Sequence, residues 1–277
     1  MDPTHKHPVA GYAPAFVSDV FDMARAAGRV FAIAGLQGTG KSTLSLQLAA
    51  LGREYGLRVV PLSIDDFYLG HAARQRLGRE VHPLSATRGV PGTHDPALAC
   101  DVIDALAQGR PTTLPRFDKI ADDRLPESQW PRIDHADLVV LEGWFLKVPP
   151  QAPAELVDPL NRLEREEDPD GTWRRWSNDC LARDYPPLWK RLPKLLFLQG
   201  PGFDIVPTWR WQQEETLQAT YPDRQAMTHP QVMRFVQFFE RVSRQAMKTL
   251  PGIAERTIRL DAERNPLAGE GPGRRTI

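Results

Sequence analysis

Only two cysteines occur in 277 residues, Cys100 and Cys180. They are far apart and in no metal-binding spacing, which argues against a disulfide framework and for reduced thiols in a cytoplasmic protein. Neither sign of charge dominates, with 35 Lys and Arg against 35 Asp and Glu. The chain therefore lacks the global field that would hold nucleic acid or an anionic membrane surface, and a local cationic pocket for a small anion is what stays open. No apolar run is long enough to cross a bilayer. The opening MDPTHKHPVAGYAPAF has no basic segment followed by an apolar one, so no secretory leader is expected. Internal repeats and heptads are also missing. His5 and His7 fall in an arm expected to be loose and solvated rather than metal-binding. What is present is an ordinary globular mixture, 41% hydrophobic and 25% charged.

Short apolar runs alternate with amphipathic ones. A helix is expected over Ala13–Ala27, followed by a buried strand Arg29–Ala34 between two glycines. A helix over Thr43–Tyr55 ends at Gly56, and a strand follows at Arg58–Ile64. A helix starts at Asp95 or Pro96 and runs to Gln108. Further strands are read at Leu138–Leu141, Lys194–Leu198 and Thr257–Leu260, and helices on either side of Tyr221–Pro230. This alternation implies an α/β fold with a mostly parallel sheet covered on both faces. Residues 149–193 read as a polar, mainly helical insertion beside the sheet. Its charge run, Glu164–Gly171, is expected to be a solvated surface. The tail from Pro266 is expected to fray.

The sharpest motif is Gly35-Leu36-Gln37-Gly38-Thr39-Gly40-Lys41-Ser42, followed by Thr43, which fits G-x-x-x-x-G-K-[ST]. It sits between a strand and a helix, the context the motif needs. Glycines let backbone N–H groups turn inward around phosphates, and the helix N-terminus adds partial positive charge. Lys41 is expected to reach the β- and γ-phosphates of ATP, and Ser42 to place its hydroxyl on Mg²⁺.

Ligands of open parallel sheets bind beyond the carboxyl ends of the strands. Asp65 and Asp66 follow the second strand, and Glu142 ends the third. Phosphoryl transfer to an alcohol needs one carboxylate to take the hydroxyl proton and another for the metal shell, which suits Asp65 and Glu142. One of the two adjacent aspartates is expected to be only a turn cap, and the sequence leaves open which one. Asp95 reads better as the N-cap of the following helix, with Pro96 at N1. The tryptophans at 173, 176, 209 and 211 read as packing of the insertion rather than as an adenine-stacking site.

The phosphate loop, Ser63-Ile-Asp-Asp-Phe-Tyr-Leu69, Arg88-Gly-Val-Pro-Gly-Thr-His-Asp95, Pro115-Arg-Phe-Asp-Lys119 with Asp123-Arg124, Leu141-Glu-Gly-Trp144 and Trp209-Arg-Trp-Gln-Gln-Glu214 occur in the order seen in D-glycerate 3-kinases of the plant and fungal type. The resemblance runs from Arg29 to Asn265 and extends to the phosphoribulokinase, uridine kinase and pantothenate kinase superfamily. It implies a P-loop NTPase-type five-stranded parallel sheet flanked by helices, with a helical insertion or lid, the whole of 1–277 forming one kinase domain. It implies Asp65 as base, Glu142 as Walker B glutamate, Arg210 as the lid residue over the phosphates, and adenine near the Asp261–Asn265 turn. The implied reaction is phosphorylation of D-glycerate by ATP. The resemblance thus implies a small anionic acceptor, which needs cations, and Arg88, His94, Arg116, Lys119 and Arg124 are the donors available, unranked. A kinase for a nucleoside, pantothenate or a sugar phosphate, and a non-catalytic nucleotide-binding regulator or ATPase, are the competing readings.

Overall fold

The computed structural model describes residues 11–220 and 226–267; His5, His7 and the last ten residues lie outside that range. Its frame is a five-stranded sheet of β1 (Val30–Gly35), β2 (Val59–Ser63), β3 (Leu138–Gly143), β4 (Leu195–Gln199) and β5 (Arg256–Arg259). Every neighbouring pair is parallel, and the spatial order is β2-β3-β1-β4-β5. The five-stranded parallel sheet expected from the sequence is thus present, with strand ends shifted by a residue or two.

β1 and β3 are buried at every position because helices cover both faces. The two-residue side-chain period splits β1 cleanly. Phe31 and Ile33 pack on Val20 and Phe21 of α1 (Pro14–Ala26) and Leu44 and Leu48 of α2 (Lys41–Glu54). Val30, Ala32 and Ala34 face the opposite cluster, with Ile103 of α4 (Pro96–Ala107), Phe145 and Leu188. Local signals set the helix ends. Asp95 accepts the Leu98 amide at 3.0 Å with Pro96 in the first turn, so this aspartate is a cap. Gly56, just past α2, takes φ +70°.

α3 (His71–Glu80) is not anticipated by the sequence. It carries no apolar stripe, and its buried residue is Arg74, whose guanidinium bonds the Leu69, Ala86 and Asp122 carbonyls. A two-residue hairpin, Phe117–Asp118 with Asp123–Arg124, is equally silent because two residues have no period. At the other end Pro266 bridges to Leu260, and the Leu267 amide donates to the Arg259 carbonyl at 2.9 Å.

The 149–193 segment holds α5 (Arg162–Glu167), α6 (Thr172–Asp184) and α7 (Pro186–Trp189). Leu163, Trp173, Leu181, Tyr185 and Leu188 from it join the larger core cluster. The charge run departs from expectation, since Glu164 and Asp168 are buried, not solvated. Glu164 accepts two bonds from Arg241, at 2.7 and 2.6 Å. Asp168 accepts the Trp173 and Arg174 amides at 2.8 and 3.1 Å and pairs with the Arg174 guanidinium at 3.0 Å. Arg241 comes from α9 (His229–Thr249), too far along the chain for any local pattern to reveal the pair. Removing one partner strands the other charge in a dry site. Glu164→Ala should therefore cost about 3–5 kcal/mol in denaturant unfolding. Glu166→Ala, on the exposed side of the same helix, should stay within about 0.5 kcal/mol.

Candidate active site

Sheet order brings three chain segments to one edge. β2, β3 and β1 are neighbours, with Ser63 opposite Glu142 and Ala34 opposite Gly143. The residues that follow these strands therefore meet at the carboxyl end of the sheet, where ligands of such folds bind.

The first segment is the turn from β1 into α2. Gly38 and Gly40 adopt φ +86° and +85°. A β-carbon at Gly38 would lie 2.5 Å from that of Trp209, so both space and conformation require glycine there. Thr39 folds back onto the Leu36 carbonyl, 2.9 Å from its hydroxyl. The Lys41 ammonium is buried and donates to the same carbonyl at 3.0 Å. Burial lowers its pKa, while Glu142 and Asp65 work against that shift. Ser42 donates its hydroxyl to Glu142 Oε1 at 2.8 Å. The Gln37 amide is buried without a protein partner.

Two residues outside the motif hold this loop, and sequence reasoning missed both. Tyr12 donates its hydroxyl to the Thr39 carbonyl at 2.5 Å and lays its ring against Gly40. Arg264 donates to the Gly38 carbonyl at 2.6 Å, to Gln212 at 2.8 Å, and stacks over Trp209 at 5.0 Å. Arg264 sits at φ +73°, a conformation uncommon for a side-chain-bearing residue, which was the signal available only from the backbone. Together they pin two loop carbonyls, those of Thr39 and Gly38. They also place the 261–265 turn beside the loop.

The second segment separates the two aspartates. Ser63 caps a 3₁₀ turn, Ile64–Phe67, in a reciprocal capping box with Asp66. Asp66 accepts the Ser63 amide at 3.2 Å and lies 3.5 Å from Arg116. Burial raises its pKa against the pull of Arg116. Asp65 faces the cleft. Its Oδ1 accepts from the Tyr68 hydroxyl at 2.8 Å, and its Oδ2 from the Lys119 ammonium at 2.8 Å. Burial pushes its pKa up, but the Lys119 charge and hydrogen bond, then the Tyr68 hydrogen bond, outweigh that and bring it down to about 2. Asp66 is thus the turn cap, and Asp65 is the aspartate whose carboxylate takes no part in the capping box.

The third segment ends β3 with Glu142; the expected cations come from other parts of the chain, and the structure sorts them. Arg88 bonds Asp122 and the Lys119 carbonyl and lies over Phe117 at 5.4 Å, so it braces the hairpin. Arg124 donates to the Tyr68 and Phe67 carbonyls and pairs with Asp95 at 3.5 Å. Arg116 lies beside Asp66, and Lys119 beside Asp65, both of them partly open to solvent. His94 differs from the expected cationic donor. It is buried, stacks on Tyr68 at 4.5 Å, and meets the Tyr185 hydroxyl at 3.0 Å. Burial drives its pKa down to about 3, so it is neutral at physiological pH. Arg210, on α8 (Val206–Thr220), pairs with Glu214 at 2.8 Å and lies 5.9 Å over Phe235 of α9. In this conformation its guanidinium is turned toward α9. Trp173 stacks edge-on against Phe238, and Trp209 is buried under the phosphate loop.

A strand–glycine loop–helix phosphate cradle, with carboxylates at the next two strand ends, defines a P-loop kinase, a phosphotransferase acting on an alcohol. No family model matches the chain. Over 220 residues it is 32% identical to the uncharacterized kinase mug58 of Schizosaccharomyces pombe, covering 76% of this chain and 78% of that one. It belongs to the family of that kinase. Over 133 residues it is 35% identical to chloroplastic D-glycerate 3-kinase of Arabidopsis thaliana, covering 44% of this chain and 29% of that protein. D-glycerate 3-kinase from Cryptococcus neoformans superposes with a TM-score of 0.70 over 92% of this chain and 96% of that one; at 24% identity, that likeness is one of fold.

Proposed function

We propose that this kinase transfers the γ-phosphoryl group of ATP to a small anionic alcohol, with D-glycerate, giving 3-phosphoglycerate, the best fit. The observation that carries the reading is the Asp65–Lys119 pair at the rim of the phosphate loop, a carboxylate base beside a half-free cation. The similarity to a D-glycerate 3-kinase over 133 residues supports the same acceptor.

Mg²⁺ fits the donor set, since the Ser42 hydroxyl and Glu142 carboxylate are hard oxygen donors at the mouth of the loop. Among the described residues no group of three or more His, Cys, Asp or Glu is placed to hold a metal ion by itself. When bound it would neutralise charge on the β- and γ-phosphate oxygens. In the proposed reaction the loop amides and Lys41 bind the phosphates, and the 261–265 turn borders the adenine ring. Asp65 accepts the proton of the attacking hydroxyl, while Lys119 and Arg116 hold the acceptor's carboxylate. Arg210 joins after turning from Glu214, as α8 closes and excludes water. No helix among the described residues is long and apolar enough to cross a membrane, and two free buried thiols suit a cytoplasmic setting.

Among kinases of this fold, a nucleoside acceptor would need an aromatic face. Phe117 already carries Arg74 and Arg88 near its ring and the edge of Tyr68 against it, which disfavours base stacking there. A coupled ADP-release assay over glycerate, nucleosides, pantothenate and sugar phosphates tests the proposal. Glycerate is expected to give the highest kcat/KM. Preference for another acceptor would reassign the substrate, and turnover indifferent to every acceptor would mark an ATPase.

A further inference from the structure

Lys119 occupies the very oxygen that a base needs. Its ammonium lies 2.8 Å from Asp65 Oδ2, while Oδ1 is taken by Tyr68. An alcohol proton has little tendency to move onto a carboxylate neutralised in this way. The pair is nevertheless easy to part. Lys119's side chain is 62% exposed against 26% for Asp65, so the lysine end of the pair can exchange into solvent while the carboxylate stays in place. The backbone carrying it is fixed instead. Asp118 accepts the Ile120 and Ala121 amides at 2.8 and 3.0 Å, and Asp122 is clamped by Arg74 and Arg88. Only the lysine side chain has to swing, on a hairpin braced by these bonds.

We propose that Lys119 gates the base: it caps Asp65 while the acceptor site is empty and is drawn off by the anionic group of the acceptor, so that only an anionic alcohol frees Asp65 for proton transfer. The inference rests on the reading of Asp65 as base. No other charged group facing Asp65 does this work. Lys41 is buried and anchored on the Leu36 carbonyl, His94 is neutral, Tyr68 is a neutral donor, and Asp66 is held in the capping box. Lys119 also feels the Glu142 carboxylate, which keeps its charge near the cleft when it leaves Asp65. The gate makes the empty enzyme a poor ATPase and discriminates between acceptors by charge rather than by shape.

The test compares D-glycerate with glycerol, a neutral acceptor of the same carbon number, in the wild type, Lys119→Met and Lys119→Arg, with ATP hydrolysis lacking any acceptor measured in parallel. The wild type is expected to favour glycerate by ~10²-fold or more in kcat/KM, and Lys119→Met to lose at least ~10-fold of that preference. Lys119→Met should also hydrolyse ATP without acceptor ~10-fold faster, with its acid limb moved upward because Asp65 has lost the ammonium. Lys119→Arg should keep the preference. The rise in hydrolysis should vanish in Asp65→Asn/Lys119→Met. A wild type that uses glycerol as well as glycerate overturns the gate. So does a Lys119→Met enzyme whose only defect is a raised KM for glycerate, because Lys119 then merely binds. Full turnover in Asp65→Asn alone would instead overturn the assignment of the base.

Discussion

Asp65→Asn is expected to retain ATP binding and lose turnover by ~10²-fold or more. The replacement is nearly isosteric and keeps an acceptor oxygen for the Tyr68 hydroxyl, which lies 2.8 Å away. What it removes is the ionised carboxylate that the proposed mechanism needs for the proton. kcat and kcat/KM for the acceptor should therefore fall together, with the KM for ATP little changed. Asp66→Asn makes the contrast. Asp66 caps the Ile64–Phe67 turn, so its loss should show first in stability and only secondarily in rate. Near-normal turnover in Asp65→Asn would remove Asp65 from the mechanism. The pH dependence follows from the depressed pKa of Asp65, brought to about 2 by Lys119 in spite of burial. Its ionised form is favoured by the fold, so the stabilisation is fully present above the ordinary carboxylate value near 4 and is lost as pH falls through about 2. No loss of the Asp65–Lys119 pair is expected between pH 5 and 8.

Lys41→Ala should lower kcat by ~10²–10³-fold and weaken the thermal stabilisation that ATP confers. Lys41 is the cation built into the phosphate cradle, held against the Leu36 carbonyl at 3.0 Å. Burial lowers its pKa, and the Glu142 and Asp65 carboxylates beside it work against that shift. Alanine leaves the loop glycines and amides in place, so some ATP binding should survive, but no charge remains to meet the transferring group. Unaltered kinetics in this variant would contradict the phosphate-loop reading itself.

The parts legible in the sequence are those encoded by neighbours along the chain. The Gly35–Ser42 motif, the Asp95 cap with Pro96, and the apolar runs of the five strands are short-range patterns, and each has a local physical cause. The choice between Asp65 and Asp66 was not legible, because adjacent residues of the same type differ only in what the turn makes of them. The capping box uses Asp66 and so frees Asp65. The five candidate cations could not be ranked for a similar reason. Arg88 and Arg124 spend their hydrogen bonds on the hairpin and on the Phe67 and Tyr68 carbonyls that end the 3₁₀ turn, and His94 is neutral by burial. Glu164 and Asp168 looked like surface charges because their burial depends on how α5, α6 and α9 pack, with Arg241 arriving from α9.

By itself, then, the sequence determined that this chain is an α/β P-loop kinase with a phosphate loop at Gly35–Ser42 and carboxylates at the following strand ends, since periodicity and contiguous motifs are local properties. The tertiary structure decided which partners each polar group meets. Sheet order sets Ser63 beside Glu142, Tyr12 and Arg264 grip the loop from distant parts of the chain, and a hairpin with no sequence period carries Lys119 to Asp65. Charge, burial and hydrogen-bond partners are long-range quantities, and they exist only once the chain has folded.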